Sequence, residues 1–300
     1  MDEVVVIGYG TVKKSDLTGA VSSVKTENLP IAANTSVTHM LAGQAAGVMV
    51  KQNSAQPGGG IEIYVRGAAS TGAGNDPLYV IDGFPVANKS VEPESGNRYE
   101  YGSRNPMNSL NPNDIESIEI LKDASATAIY GARAANGVIL VTTKRGKSGK
   151  PIVKYNANYS IQTIAKRLEM LSAKEFMNVS NEISYQKWRI DNELYPYGGE
   201  LEEDALPYKG NPYSPEEIAA AGEGTDWFGL RTRDGSINQH NVSVSAGTES
   251  TRFLASLNYY KQKGVIKNSD FQRISGTINL DQELGKYDKA GINATYSTNF

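Results

Sequence analysis

The sequence predicts an α+β domain of short elements followed by antiparallel strands of a transmembrane β-barrel. Three observations predict it. Before residue 147 the apolar residues come in short runs separated by Gly-rich loops. From Lys150 onward they alternate with Asn, Ser and Thr, the period-two pattern of a strand with two unlike faces. Hydrophobic residues make up only 39% of the 300-residue chain while tyrosines number 17, a mixture that suits strands with one polar side. No run approaches the ~20 apolar residues of a membrane-spanning helix. The domains expected are a flexible N-terminal segment over 1–19, the α+β domain over 20–147 and barrel strands over 148–300.

The chain opens with DEVVVIGYG, residues 2–10. Val4 to Ile7 are four β-branched residues in succession and read as a strand. Gly8 and Gly10 bracket Tyr9, and the next clear strand begins only near residue 21, so this first strand is expected to stand unpaired. Such an edge invites pairing with another chain.

Within the α+β domain, strands are predicted at 20–24, 47–52, 61–66, 78–81, 117–121 and 138–143. Asp82-Gly83 between two apolar triplets marks a tight hairpin. A helix is predicted over 36–46, with Val37, Met40, Leu41 and Ala45 on one face. A second is predicted over 124–130, capped by Asp123 and stopped by Gly131. Loops fall at 56–60, 70–76 and 88–111.

Beyond Lys150, "VKYNANYSI", "NVSVSAG", "RFLASLNYY", "RISGTINL" and "GINATYSTNF" each carry one apolar and one polar face. Short turns at 247–250 and 283–289 contrast with a long excursion at 164–236, rich in Tyr, Pro, Gly and acids, which reads as a loop. Short connections at one end and long ones at the other match a barrel. The competing architecture is a soluble β-sandwich, whose strands alternate too but bury the apolar face. Five strands cannot close, so the chain is expected to be the N-terminal part of a longer protein. A preceding domain then fills the lumen of a barrel of ~22 strands.

Little here resembles catalysis. Asp114, Glu116 and Glu119 read as solvated or capping acids, and Asp82 as turn chemistry. His39 and His240 lack metal-ligand spacing, and no phosphate-binding glycine motif occurs. The chain has no cysteine, which removes disulfides and thiolate chemistry. A net charge of −3 gives no basic footprint for nucleic acid, and KRGKSGK at 144–150 reads as a flexible linker. The expectation is a non-enzyme with no cofactor, metal or nucleic-acid partner. Arg66 and Arg133 are charges within apolar segments and need partners; Glu62 and Glu119 are local candidates. Tyr99, Tyr101, Trp188, Tyr195, Tyr197, Tyr208, Tyr213 and Trp227 offer aromatic faces for a sugar or peptide, or else hold the loops together.

Several stretches together resemble one family. They are "DEVVVIGYGTVKKSDLTGAVSSV" (2–24), "MLAGQAAGVMV" (40–50), "IEIYVRG" (61–67), "DPLYVIDGFPV" (76–86), "SLNPNDIESIEILKDASATAIYGARAANGVILVTTKRGK" (109–147) and "TDWFGLRTRDGSINQHNVSVSAG" (225–247). They resemble the SusC/RagA-type TonB-dependent outer-membrane transporters. The resemblance implies a plug inside a 22-stranded barrel in the bacterial outer membrane. It also implies import of a nutrient, an oligosaccharide or a peptide, powered through TonB, and a SusD-like surface lipoprotein as partner. Asp2, Glu3, Val4, Val5, Val6, Ile7, Gly8, Tyr9 and Gly10 then resemble the Ton box, the strand TonB pairs with and pulls. Arg66 and Arg133 would pair with carboxylates of the barrel wall, and the aromatic loops would meet ligand or lipoprotein lid. The rival reading is a soluble surface glycan-binding β-protein without transport.

Overall fold

The structure, a computed structural model, describes residues 4–7, 10–13, 21–26, 37–52, 56–59, 61–65, 67, 76–86, 106–123, 127–167, 169–192, 208, 210–285 and 288–299. Residues 1–163 and 234–300 form one compact unit and residues 164–233 another.

The N-terminal strand is not unpaired. β1 (Val4–Ile7) folds back on β2 (Gly10–Lys13) as an antiparallel hairpin, with Val4 opposite Lys13 and Ile7 opposite Gly10. A single strand leaves all its backbone groups to water, and the β-prone "GTVK" lies two residues away to take half of them. No third strand joins this sheet among the described residues.

The α+β domain follows the predicted strands closely: β3 (Val21–Lys25), β4 (Val48–Gln52), β5 (Ile61–Val65), β6 (Leu78–Ile81), β7 (Phe84–Val86), β8 (Ile115–Leu121) and β9 (Val138–Thr143). β4 and β5 form a hairpin of their own, while the rest make one sheet in the order β3-β8-β9-β6-β7. Only β6 and β9 run parallel in that sheet. Its central strands bury continuous apolar runs, Val138 to Val141 and Ile118 to Leu121 apart from the buried Glu119, because both faces are covered. Ile63, Ile118, Ile120, Ile139 and Leu41 are at the middle of the core. Asp82 and Gly83 turn the β6–β7 hairpin with φ of 47° and 89°, the left-handed geometry a two-residue turn needs.

The first helix is shorter than predicted and the second is displaced. α1 spans only Val37–Met40 and passes into turns, since Gly43 takes a φ of 72° that no α-helix contains. Ala128–Ala134 is 3-10, interrupted at Gly131 (φ 66°); residues 124–126 lie outside the described residues. Gly131 breaks the helix as expected, but a further turn follows it.

After Thr143, β10 (Gly149–Gln162), β11 (Gly235–Gly247), β12 (Thr251–Lys263), β13 (Asp270–Glu283) and β14 (Lys289–Asn299) form an antiparallel meander in sequence order.

The excursion between β10 and β11 is not the plain loop expected. It contains α2 (Ala173–Asp191), α3 (Pro215–Ala220) and α4 (Trp227–Arg231). Ser172 with Glu175, and Ser214 with Glu217, form complete capping boxes at the starts of α2 and α3.

Candidate functional site

In β11, β12 and β13, the middle strands of the meander, the polar face is buried, while the apolar face of the meander is exposed. Gln239, Asn241, Ser256, Asn258, Ser275, Thr277 and Asn279 are all buried, while Val242, Leu257, Ile278, Ile292 and Tyr296 are exposed. A sandwich requires the opposite arrangement, so the soluble β-sandwich is excluded by the burial pattern. What buries the polar face is the α+β domain.

Their seam is a row of specific polar contacts, because polar groups taken out of water must be satisfied. Asn111 Nδ2 donates to Asn241 Oδ1 at 2.9 Å, and Ser256 Oγ donates to Asp114 Oδ2 at 2.7 Å. Arg273 donates to the carbonyls of Asn108 and Leu110. Asn279 Nδ2 donates to the Lys144 carbonyl at 2.7 Å. Asn293 donates to Asp82 Oδ2. Arg145 lies between Asp281 (3.4 Å) and Asp82 (3.7 Å). Burial raises the Asp114 carboxyl above its ordinary value; hydrogen bonds from Ser256, Asn111 and Thr277 and the charge of Lys144 oppose that rise. At one end, Ile237, Tyr260 and Phe271 form a small apolar cluster. Against it sits Gly58 (φ 71°), where a Cβ would lie 2.5 Å from the Phe271 ring.

Residues 13–138 match the TonB-dependent Receptor Plug Domain family. The TonB-dependent receptor SusC of Bacteroides thetaiotaomicron is 38% identical over 281 residues, covering 93% of this chain and 24% of that protein. The chain belongs to the SusC/RagA-type TonB-dependent receptors. TonB-dependent receptor P26 of Formosa agariphila is 40% identical over 300 residues, 99% of this chain and 27% of that protein. The RagAB peptide importer in its open-open state superposes with a TM-score of 0.72 at 27% identity, covering 99% of this chain and 32% of that one. The chain thus spans about a quarter of the length of the curated relatives it matches. The α+β domain is the plug, and the meander is a run of barrel-type wall strands.

The sequence misjudged several residues of the seam. Asp114 and Glu119 are buried rather than solvated, Asp114 beneath the wall and Glu119 accepting from Ser117 Oγ at 2.7 Å. Glu116 is exposed as expected. Asp82 is more than a turn residue: its carboxylate accepts from the Thr143 amide (2.9 Å) and hydroxyl (2.6 Å) besides Asn293. The segment 144–150 is no loose linker. Lys144 N donates to the Asp114 carbonyl, Lys144 Nζ to the Asn113 carbonyl, and Lys147 N to Ser245 Oγ. His240 accompanies Tyr155, whose hydroxyl lies 2.7 Å from Nδ1. No group of metal-ligating side chains occurs among the described residues.

Of the predicted site residues, Asp2, Glu3, Gly8, Tyr9, Arg66, Tyr99, Tyr101, Tyr195 and Tyr197 lie outside the described residues. Val4, Val5, Val6 and Ile7 form β1, and Gly10 opens β2. Arg133 is exposed and makes no ion pair among the described residues, so its local pairing with Glu119 does not form. Trp188 stacks on Tyr185 and leans on Tyr208, with centroids 6.0 and 5.4 Å apart. Tyr213 packs edge-on to Phe176, and its backbone is held by Asn181 on both sides. These three aromatics hold the helical unit together, whereas Trp227 is exposed.

Proposed function

We propose that this chain is the plug and the first wall strands of an importer in the bacterial outer membrane. The observation that supports the reading is the inverted sheet, with polar residues packed against the plug and an apolar face left exposed, as a wall strand facing lipid requires. Import of this kind makes and breaks no bond; energy supplied through TonB displaces the plug. The nutrient is an oligosaccharide or a peptide, the latter favoured by the RagAB peptide importer at 27% identity. A SusD-like surface lipoprotein is the expected partner, and exposed Trp227 is a candidate contact for it. Arg133, exposed on the plug, is available to a carboxylate of further wall strands, and Arg66 is assigned the same role.

Residues 2–10 are the handle. Strand addition draws affinity from main-chain hydrogen bonds, and β1 keeps one edge outside its hairpin. Alternate residues of β1 direct their amides to opposite edges. Val5→Pro and Val6→Pro therefore remove one donor from each side. In the full-length receptor at least one of them should lower TonB binding and uptake by about tenfold or more, the loss of roughly 1.4 kcal/mol. If both bind TonB and import at the wild-type rate, the handle is elsewhere.

A further inference from the structure

Arg273 lies on β13 with its side chain on the inner face, and it is completely buried. Nη1 donates to the main-chain oxygens of Asn108 (2.8 Å) and Leu110 (2.9 Å), both in the plug. Nη2 reaches Asn258 Oδ1 on the adjacent wall strand at 3.4 Å. The guanidinium carbon lies 5.4 Å from the centroid of Tyr260, which in turn packs on Phe271 with centroids 6.1 Å apart. On the plug side, Asn108 passes the connection on: its Nδ2 donates to the Gly58 carbonyl at 2.8 Å, and Gly58 abuts Phe271. Wall strand, plug turn 106–110 and plug loop 56–59 thus form one closed circuit of contacts.

A buried cation is tolerated only where its donors are used. Here the acceptors are backbone carbonyls at the end of a 3-10 turn, groups with no partner within the turn itself. Nη1 meets both oxygens while Nη2 reaches Asn258 and the guanidinium lies by the Tyr260 ring; a lysine ammonium lacks the second nitrogen and the planar face. The polarity is the reverse of a plug arginine seeking a wall carboxylate. The charge belongs to the wall; the plug's hydrogen-bond acceptors are main-chain oxygens, and the Asp114 carboxylate adds its charge attraction.

We propose that Arg273 is a wall-side positioning residue that seats the plug. It holds the 106–110 turn and, through Asn108, the 56–59 loop against the wall, so that these bonds must open before the plug yields. The transport consequence rests on the import reading above, but the seating itself can be read without TonB.

The test uses the full-length receptor in outer membranes of cells lacking TonB. Thr277→Cys serves as the reporter, an inward wall position that the plug covers. The readout is the rate of labelling by a membrane-impermeant maleimide. Arg273→Met should raise that rate by about tenfold or more, as losing the donor to two buried carbonyls predicts. Arg273→Lys should give an intermediate rate. Ser275→Ala, two residues along the same inner face and without a hydrogen-bond partner for its hydroxyl among the described residues, should leave the rate unchanged. Wild-type labelling in both Arg273 variants would overturn the proposal. Should Arg273→Met fail to assemble, Arg273→Lys decides alone: a faster rate supports the seating role and an unchanged rate overturns it. Because no TonB is present, a failure of the import reading leaves this result intact.

Discussion

Two five-stranded sheets stand in this chain and solve opposite problems. The plug sheet buries apolar residues on both faces, Ile118, Ile120 and Ile139 on one and Leu121, Val138 and Leu140 on the other. The wall sheet buries Asn241, Asn258, Thr277 and Asn279 and leaves Ile278, Ile292 and Tyr296 uncovered. Both obey the same strand periodicity. The difference teaches that alternation divides a strand into two faces but does not say which face is inside; the surrounding medium decides that. The plug carries its own oil. The wall packs its polar face against the plug and leaves its apolar face exposed.

The largest expected effect breaks this comparison directly. Ile139→Asp places an unpaired carboxylate in the plug core and should destabilise the plug by about 4 kcal/mol or more, read from urea unfolding of the receptor in vesicles. Ile278→Arg, near the middle of β13 on the wall's outer face, should cost about 2–4 kcal/mol in the same vesicles. A neutral outcome for Ile278→Arg would mean that the sheet does not face lipid. An intermediate effect is expected at the seam. Gly58→Val meets both a left-handed backbone and the Phe271 ring, and should cost about 2–4 kcal/mol from strain and overpacking together. Adding Phe271→Ala should recover the overpacking part only.

The smallest effect is electrostatic. Asp114 has its carboxyl raised by burial in the folded state, whereas the unfolded chain returns it to about the ordinary 3.9. The folded protein therefore holds that proton more tightly, and its stability falls as pH rises from the ordinary value through the raised one. Asp114→Asn keeps an oxygen for Ser256 and should flatten that dependence. The check is the urea midpoint of the two proteins from below the ordinary value up to neutrality. Equal slopes for the two would remove Asp114 as the source.

Much of this fold was legible because its signals are local. Leu78–Ile81 and Val138–Thr143 match to the residue, since each is an apolar run closed by turn residues at both ends. The inward choice for Asn, Ser and Thr in the wall was legible from the scarcity of Leu, Ile and Phe opposite them. The helix over Ala173–Asp191 was written in Ser172-x-x-Glu175 but went unread behind the tyrosines, prolines and glycines that follow it. What was hidden depends on long closure. Asp82 meets Thr143 and Asn293, and Arg273 meets Asn108, across separations that periodicity does not report. The one available clue to Arg273 was a full charge at an inward position of "RISGTINL", among otherwise small polar residues.

The hairpin at the start of the chain also has a mechanical meaning. Val4 and Lys13 lie side by side, so a load applied at one and resisted at the other opens the ladder a pair at a time instead of shearing it. Ten residues paid out fully extended cover roughly 30 Å. Any tension drawn from the N-terminal side therefore first meets slack, and the rest of the plug feels force only after that travel is used up.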